Sequence, residues 1–152
     1  MNLITRTGIV ATLLAISAAT LAEVKASDAV EYRQGIYKAV KWNFGPMGDM
    51  VKGKQEFNAA EFTRRADNLA ALSKMPLEGF VAGTYNGSYS GSTDALPAIE
   101  KDWETFAGIM SDFETNAAAL AETAASGDMN AIRPAFMSVA KTCKSCHDKF
   151  KD

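Results

Sequence analysis

The chain ends CKSCHDKFKD, and Cys143, Cys146 and His147 fall within five positions of one another there. They are the only two cysteines and the only histidine of the protein. Cys143 and Cys146 are three residues apart, and Cys143 and His147 four apart, so on a helix all three side chains share one face, expected to point into the bundle. C-x-x-C-H is the attachment signature of c-type haem. Each thiol can form a thioether with one porphyrin vinyl group, and the adjacent imidazole can then ligate the iron. Other chemistries fit less well. A thioredoxin-type disulfide should follow a strand in a βαβ unit, and no such pattern is present. A zinc site needs four ligands, and no further Cys or His exists. A structural disulfide is the default for two cysteines in an exported chain, but it leaves His147 unexplained. The expected cofactor is therefore one covalent haem c, held through Cys143 and Cys146, with His147 as the metal ligand.

Export is read from the first residues. MNLITRTGIVATLLAISAATLA carries one cation, Arg6, and then an apolar run from Gly8 to Leu21. That run is short for a bilayer span and ends in small residues. It reads as a secretory signal peptide over residues 1–22, cleaved after Ala22 or, as second choice, Ala26. Residues 23–152 then form one domain. Cleavage after Ala22 leaves 15 cations against 18 acids, a formal charge of −3. Such a balance gives no reason to expect nucleic-acid binding or attraction to an acidic membrane surface.

Four stretches show helical periodicity, and none shows strand alternation. The first predicted helix runs from Asp28, as N-cap, to Val51, with Gly53 as its stop and a kink or break expected at Pro46. The second runs from Asn58 to Lys74, with Asn58 and Glu61 placed as a capping box. Residues 76–97 are rich in Gly, Ser and Thr and read as a long loop. The third helix spans Ile99 to Ala125, with Ile99, Trp103, Phe106, Met110, Phe113, Ala117, Leu120 and Ala124 as its apolar stripe. Asp128 caps the fourth, Met129 to Phe150, which Pro134 is expected to bend or delay at its start. Its stripe is Ile132, Phe136, Val139, Cys143, Cys146 and Phe150. The fold expected is all-α, an antiparallel four-helix bundle with covalently bound haem.

A haem motif at the C-terminal end of an exported four-helix bundle resembles the cytochrome c′ family. The resemblance covers essentially the whole mature chain. It rests on YRQGIYKAVKWNFGPMG (residues 32–48), on the Ser126-Gly127-Asp128 junction and on CKSCHDKFK. Small cytochromes c of the ordinary kind place the motif near the N-terminus and a methionine ligand downstream. No methionine follows His147 here. The resemblance implies an iron with His147 as its only protein ligand and an open opposite face. Low-spin relatives put a methionine of the first helix on that face; the matching position here is Tyr37. A five-coordinate, high-spin iron is therefore expected, with a six-coordinate low-spin carrier as the alternative. Arg33 lies four residues before Tyr37 on the same face and, if buried, must find an anion, for which a haem propionate is available. Lys151 stands where many relatives carry arginine, so the cation remains without the planar fork.

The implied role is a periplasmic protein of electron transfer, of binding small gases such as NO and CO, or of both. Catalysis as the main role is not expected, because an acid–base pair would be wanted and there is no second histidine. The partners implied are diatomic gases, a redox protein and a second copy in a homodimer through the first two helices, with no membrane attachment after signal cleavage.

Overall fold

The computed structural model describes residues 24–152, so the expected signal segment lies outside the described residues. Four long helices make the antiparallel bundle: α1 (Ala26–Val51), α2 (Ala59–Leu72), α4 (Trp103–Ala124) and α5 (Met129–Phe150). A 3-10 turn, Pro76–Gly79, and a single helical turn, α3 (Ala98–Lys101), interrupt the segment between α2 and α4.

The core follows the apolar periodicity. Phe106, Met110, Phe113, Ala117, Leu120 and Ala124 of α4 are buried, facing Phe62, Ala66 and Leu69 of α2 and Ile132, Phe136, Val139 and Phe150 of α5. Burying one such large side chain contributes about 1.5–3 kcal/mol relative to leaving it in water. The expected caps form at two helix starts. Asn58 Oδ1 accepts from the Glu61 N–H at 3.0 Å, and Asp128 Oδ1 accepts from the Asn130 N–H at 2.9 Å.

Three expectations need correction. Helix α1 begins at Ala26, before Asp28, and Asp28 sits in its first turn, where the helix dipole favours an acid. The third predicted helix is broken at Asp102, whose backbone (φ −134°, ψ 54°) leaves the helical region. Ile99 before the break is buried, while Trp103 after it is 42% exposed and leaves the core stripe. Finally, Pro46 does not break α1, which continues to Val51. A helical proline deprives the carbonyl four residues earlier of its donor. Here that carbonyl is Trp42 O, and Arg65 of α2 supplies the missing bond, Nη1 to O, at 2.8 Å. Glu61 Oε1 holds the Arg65 Nε at 2.6 Å. Beside them Asn68 Nδ2 donates to Asn43 Oδ1 at 3.1 Å.

The loop of residues 80–97 is tied at both ends. On the α1 side, Gly79 lies so close that a Cβ there would meet Arg33 Cβ at 2.9 Å and Ala29 O at 3.2 Å. On the α5 side, Leu96 N donates to Phe150 O at 3.0 Å and Asp152 N to Asp94 O at 2.9 Å. Ala95 and Lys151 thus form an isolated antiparallel bridge.

If Arg65 repairs the proline defect, its worth depends on Pro46. Arg65→Ala should cost about 1 kcal/mol in the parent, and less in a Pro46→Ala background, where residue 46 donates to Trp42 O itself. Denaturant melts of the four proteins in a double-mutant cycle measure the coupling; equal costs in both backgrounds exclude the repair.

Candidate functional site

Helix α5 runs unbroken through the motif to Phe150. Val139 and Phe150 anchor this face in the core, and Cys143 and Cys146 lie between them, half-buried and packed on the core edge. Both thiols are free. Burial raises the Cys143 pKa. It also raises that of Cys146, to about 11, with the neighbouring Cys143 adding to the effect. The spacing predicts His147 pointing into the bundle with the cysteines, but it is exposed, one position past Cys146 on the helix. Burial lowers its pKa, Lys151 lowers it further and Asp148 opposes them. The neutral imidazole thereby favoured is the form that ligates a metal.

Tyr37 of α1 comes to the same side of the bundle. Its pKa is raised, first by burial and then by the charges of Cys146 and Cys143. The hydroxyl donates to Met110 Sδ on α4 at 3.6 Å. Phe80 meets the Tyr37 ring edge-on, with centroids 6.4 Å apart. Helices α1 and α5 approach each other over only a short stretch. Their contacts gather near the C-terminal end of α1: Phe44 stacks on Phe136 at 4.3 Å, and Arg133 Nη1 donates to Val51 O at 2.7 Å. Near Tyr37, α1 bonds to α4 instead. The residues present fit a covalent haem: two uncrosslinked thiols and an imidazole share one helical turn.

Arg33 is 2% exposed, but its partners are not an acid. Nη1 donates to Gly79 O at 2.9 Å and to Thr84 Oγ1 at 2.6 Å. Nη2 donates to Thr93 Oγ1 at 3.0 Å and also to Thr84 O. The guanidinium lies over the rings of Phe80 at 4.9 Å and Tyr85 at 5.9 Å. Four neutral oxygens and two aromatic faces therefore satisfy the cation, and its burial requires no propionate. Desolvation lowers its pKa, and Tyr85 is the first of the groups that oppose this. Lys151 is likewise engaged, with Nζ 2.9 Å from Asp94 Oδ2, and its backbone N–H donates to His147 O at 3.3 Å.

The sequence reading missed Met110, Phe80, Thr84 and Thr93. Met110 was visible as a stripe residue of the third helix. The other three sit in the turn and loop, where periodicity gives no signal.

Comparison with known proteins agrees with this geometry. The family model described as Cytochrome C' matches residues 28–151. The chain belongs to the cytochrome c′ family. It is therefore a member of a family of haem proteins. The cytochrome c′ of Halomonas halodenitrificans is 44% identical over 126 residues, covering 82% of this chain and 96% of that protein. The solved cytochrome c prime from Shewanella frigidimarina is 50% identical, with a TM-score of 0.79, over 84% of this chain and 97% of that one. A nitric oxide complex of a mutant cytochrome c prime from Alcaligenes xylosoxidans is 33% identical, with a TM-score of 0.75, over 86% and 98% of the two chains.

Arg33→Ala should release the 80–97 loop. Each buried oxygen left without a donor costs about 1–3 kcal/mol, and limited proteolysis should cut the loop faster. Arg33→Lys should rescue this only in part, since a point charge cannot serve four acceptors as the planar fork does. Parent-like protection in Arg33→Ala would assign the loop's order to its C-terminal bridge alone.

Proposed function

We propose that the chain is a periplasmic c-type haem protein with a five-coordinate, high-spin iron, acting in electron transfer, in binding NO or CO, or in both. The observation that carries this reading is the single turn holding two free thiols and an imidazole, with Tyr37 rather than a methionine at the facing α1 position. When bound, haem supplies an iron that can exchange an electron and take a diatomic ligand. Cys143 and Cys146 would hold it by thioethers, and His147 would supply a ligating nitrogen. Tyr37 would limit ligand entry by its bulk. Arg33 holds the loop that borders this region. Catalysis is not the proposed role, because no second imidazole exists to move a proton.

The periplasmic setting rests on the export signal read in residues 1–22 and on the covalent attachment motif. No described helix is long and apolar enough to cross a membrane. A homodimer through α1 and α2 is part of the proposal. Trp42, 74% exposed on α1, offers it an aromatic anchor, and sedimentation velocity reads that state directly. The redox partner is a protein not named by anything in the fold. A nitric oxide complex of a mutant relative supports the choice of gas.

A second reading, a six-coordinate low-spin carrier, has one observation in its favour: the Met110 thioether lies beside Tyr37. The optical spectrum separates the two. High-spin bands with no sulfur-to-iron charge-transfer band in the oxidised protein are expected. That charge-transfer band would establish the second reading. In the same preparation, acidic acetone should leave the colour with the protein. Free haem in the solvent would remove the covalent link.

Tyr37→Ala should open the space over the iron, at a stability cost of about 2–3 kcal/mol. CO should then bind the reduced protein faster and more tightly. Tyr37→Phe should keep the bulk and the parent CO affinity. If Tyr37→Ala leaves both rate and affinity unchanged, the ring does not cover the iron.

A further inference from the structure

A phenol that is partly buried, as that of Tyr37 is, ordinarily finds a partner for its hydroxyl. The partner of Tyr37 is an unusual one, a thioether: Met110 Sδ at 3.6 Å. Met110 is 3% exposed and sits on the α4 stripe between Phe106 and Phe113, so its sulfur is held by the core. The ring of Tyr37 is restrained from another side by Phe80. Phe80 in turn packs edge-on against Phe106 at 4.7 Å and lies under the Arg33 guanidinium.

We propose that Met110 sets the ligand preference of the haem face by holding the Tyr37 hydroxyl toward α4. This rests on the placement of Tyr37 over that face. A thioether is a weak acceptor, but it is the acceptor that fixes the direction of the only hydroxyl on this ring. With the O–H committed to sulfur, a bound diatomic meets the ring and no donor. NO and CO need little polar help, whereas O₂ is stabilised by a hydrogen bond, so the contact disfavours O₂. The specificity then lies in a residue of α4 outside the attachment motif.

The test uses the holoprotein and four sequences: parent, Tyr37→Phe, Met110→Leu and the double variant. Met and Leu are close in volume, so the swap should leave the fold intact. The readout is the C–O stretching band of the reduced CO adduct. Parent and Tyr37→Phe should share one frequency. Met110→Leu should move the band to lower wavenumber, because the freed hydroxyl donates to the ligand, and CO should leave roughly twofold to tenfold more slowly, the factor one hydrogen bond gives. The double variant should return to the parent value. A parent-like band in Met110→Leu overturns the proposal. If Tyr37→Ala at the same time changes CO binding, the gate stands and only the role of Met110 falls. If Tyr37→Ala changes nothing, the placement of Tyr37 falls and takes the proposal with it. The ultraviolet resonance Raman tyrosine doublet, read without CO, reports the O–H···S contact itself. No difference there between parent and Met110→Leu also overturns the proposal.

Discussion

The Arg33 guanidinium is the interaction on which the middle of this structure depends. It is buried without a carboxylate partner, a situation charged residues rarely tolerate. The planar fork resolves it by donating to four oxygens of the turn and loop that follow α2. Thr93 Oγ1 also accepts from the Ala95 N–H, but the backbone oxygens of Gly79 and Thr84 depend on Arg33, and a loop with unsatisfied backbone does not stay inside a fold. One side chain of α1 therefore converts a Gly- and Ser-rich segment into an ordered wall. The wall positions Phe80, which packs on Tyr37 and on Phe106. It also presents residues 94–96 to the end of α5, where the chain closes on itself through backbone bonds.

What was legible in the sequence was local. The turn of α5 that carries Cys143, Cys146 and His147 needs only helical spacing, and the helix forms there as expected. The caps at Asn58 and Asp128 involve partners two or three residues away, so they too can be read directly. The failures have a common cause in partners distant along the chain. Pro46 looks like a helix breaker because its repair comes from Arg65, nineteen residues later and on another helix. The loop oxygens that Arg33 reaches lie 46 to 60 residues downstream, in a segment without periodicity, so they leave no local signal. Trp103 fits an apolar stripe by spacing alone, but the backbone turn at Asp102 takes it out of the core.

The bundle keeps its two functional demands apart. Attachment needs chemistry on a rigid element, and α5 meets this by seating Val139 and Phe150 in the core on either side of the cysteines. Ligand access needs room between helices. The stacked Phe44 and Phe136 rings and the Arg133 bond to Val51 join α1 and α5 at one end. Near Tyr37, α1 is held by α4 and the loop instead. A close-packed interior resists continuous deformation, so a region that must admit a planar cofactor is best bounded by helices that are not clamped together there.

The polar groups around this region are committed elsewhere. Arg33 has donors suited to an anion, and four of its N–H bonds end on loop oxygens. Tyr37 has a hydroxyl, and it ends on sulfur. His147 is turned to the solvent side, and the chain has no other imidazole. Burial explains the commitment of Arg33, because a buried donor without a partner is costly. Together these commitments leave a face lined by rings and a thioether, with little to stabilise a developing charge. Such a face is suited to neutral diatomics, which differ in how much hydrogen bonding they require rather than in size. In the proposed reading, selectivity would come from satisfying nearby donors before the ligand arrives, and the apolar character of the site would follow from hydrogen bonds made outside it.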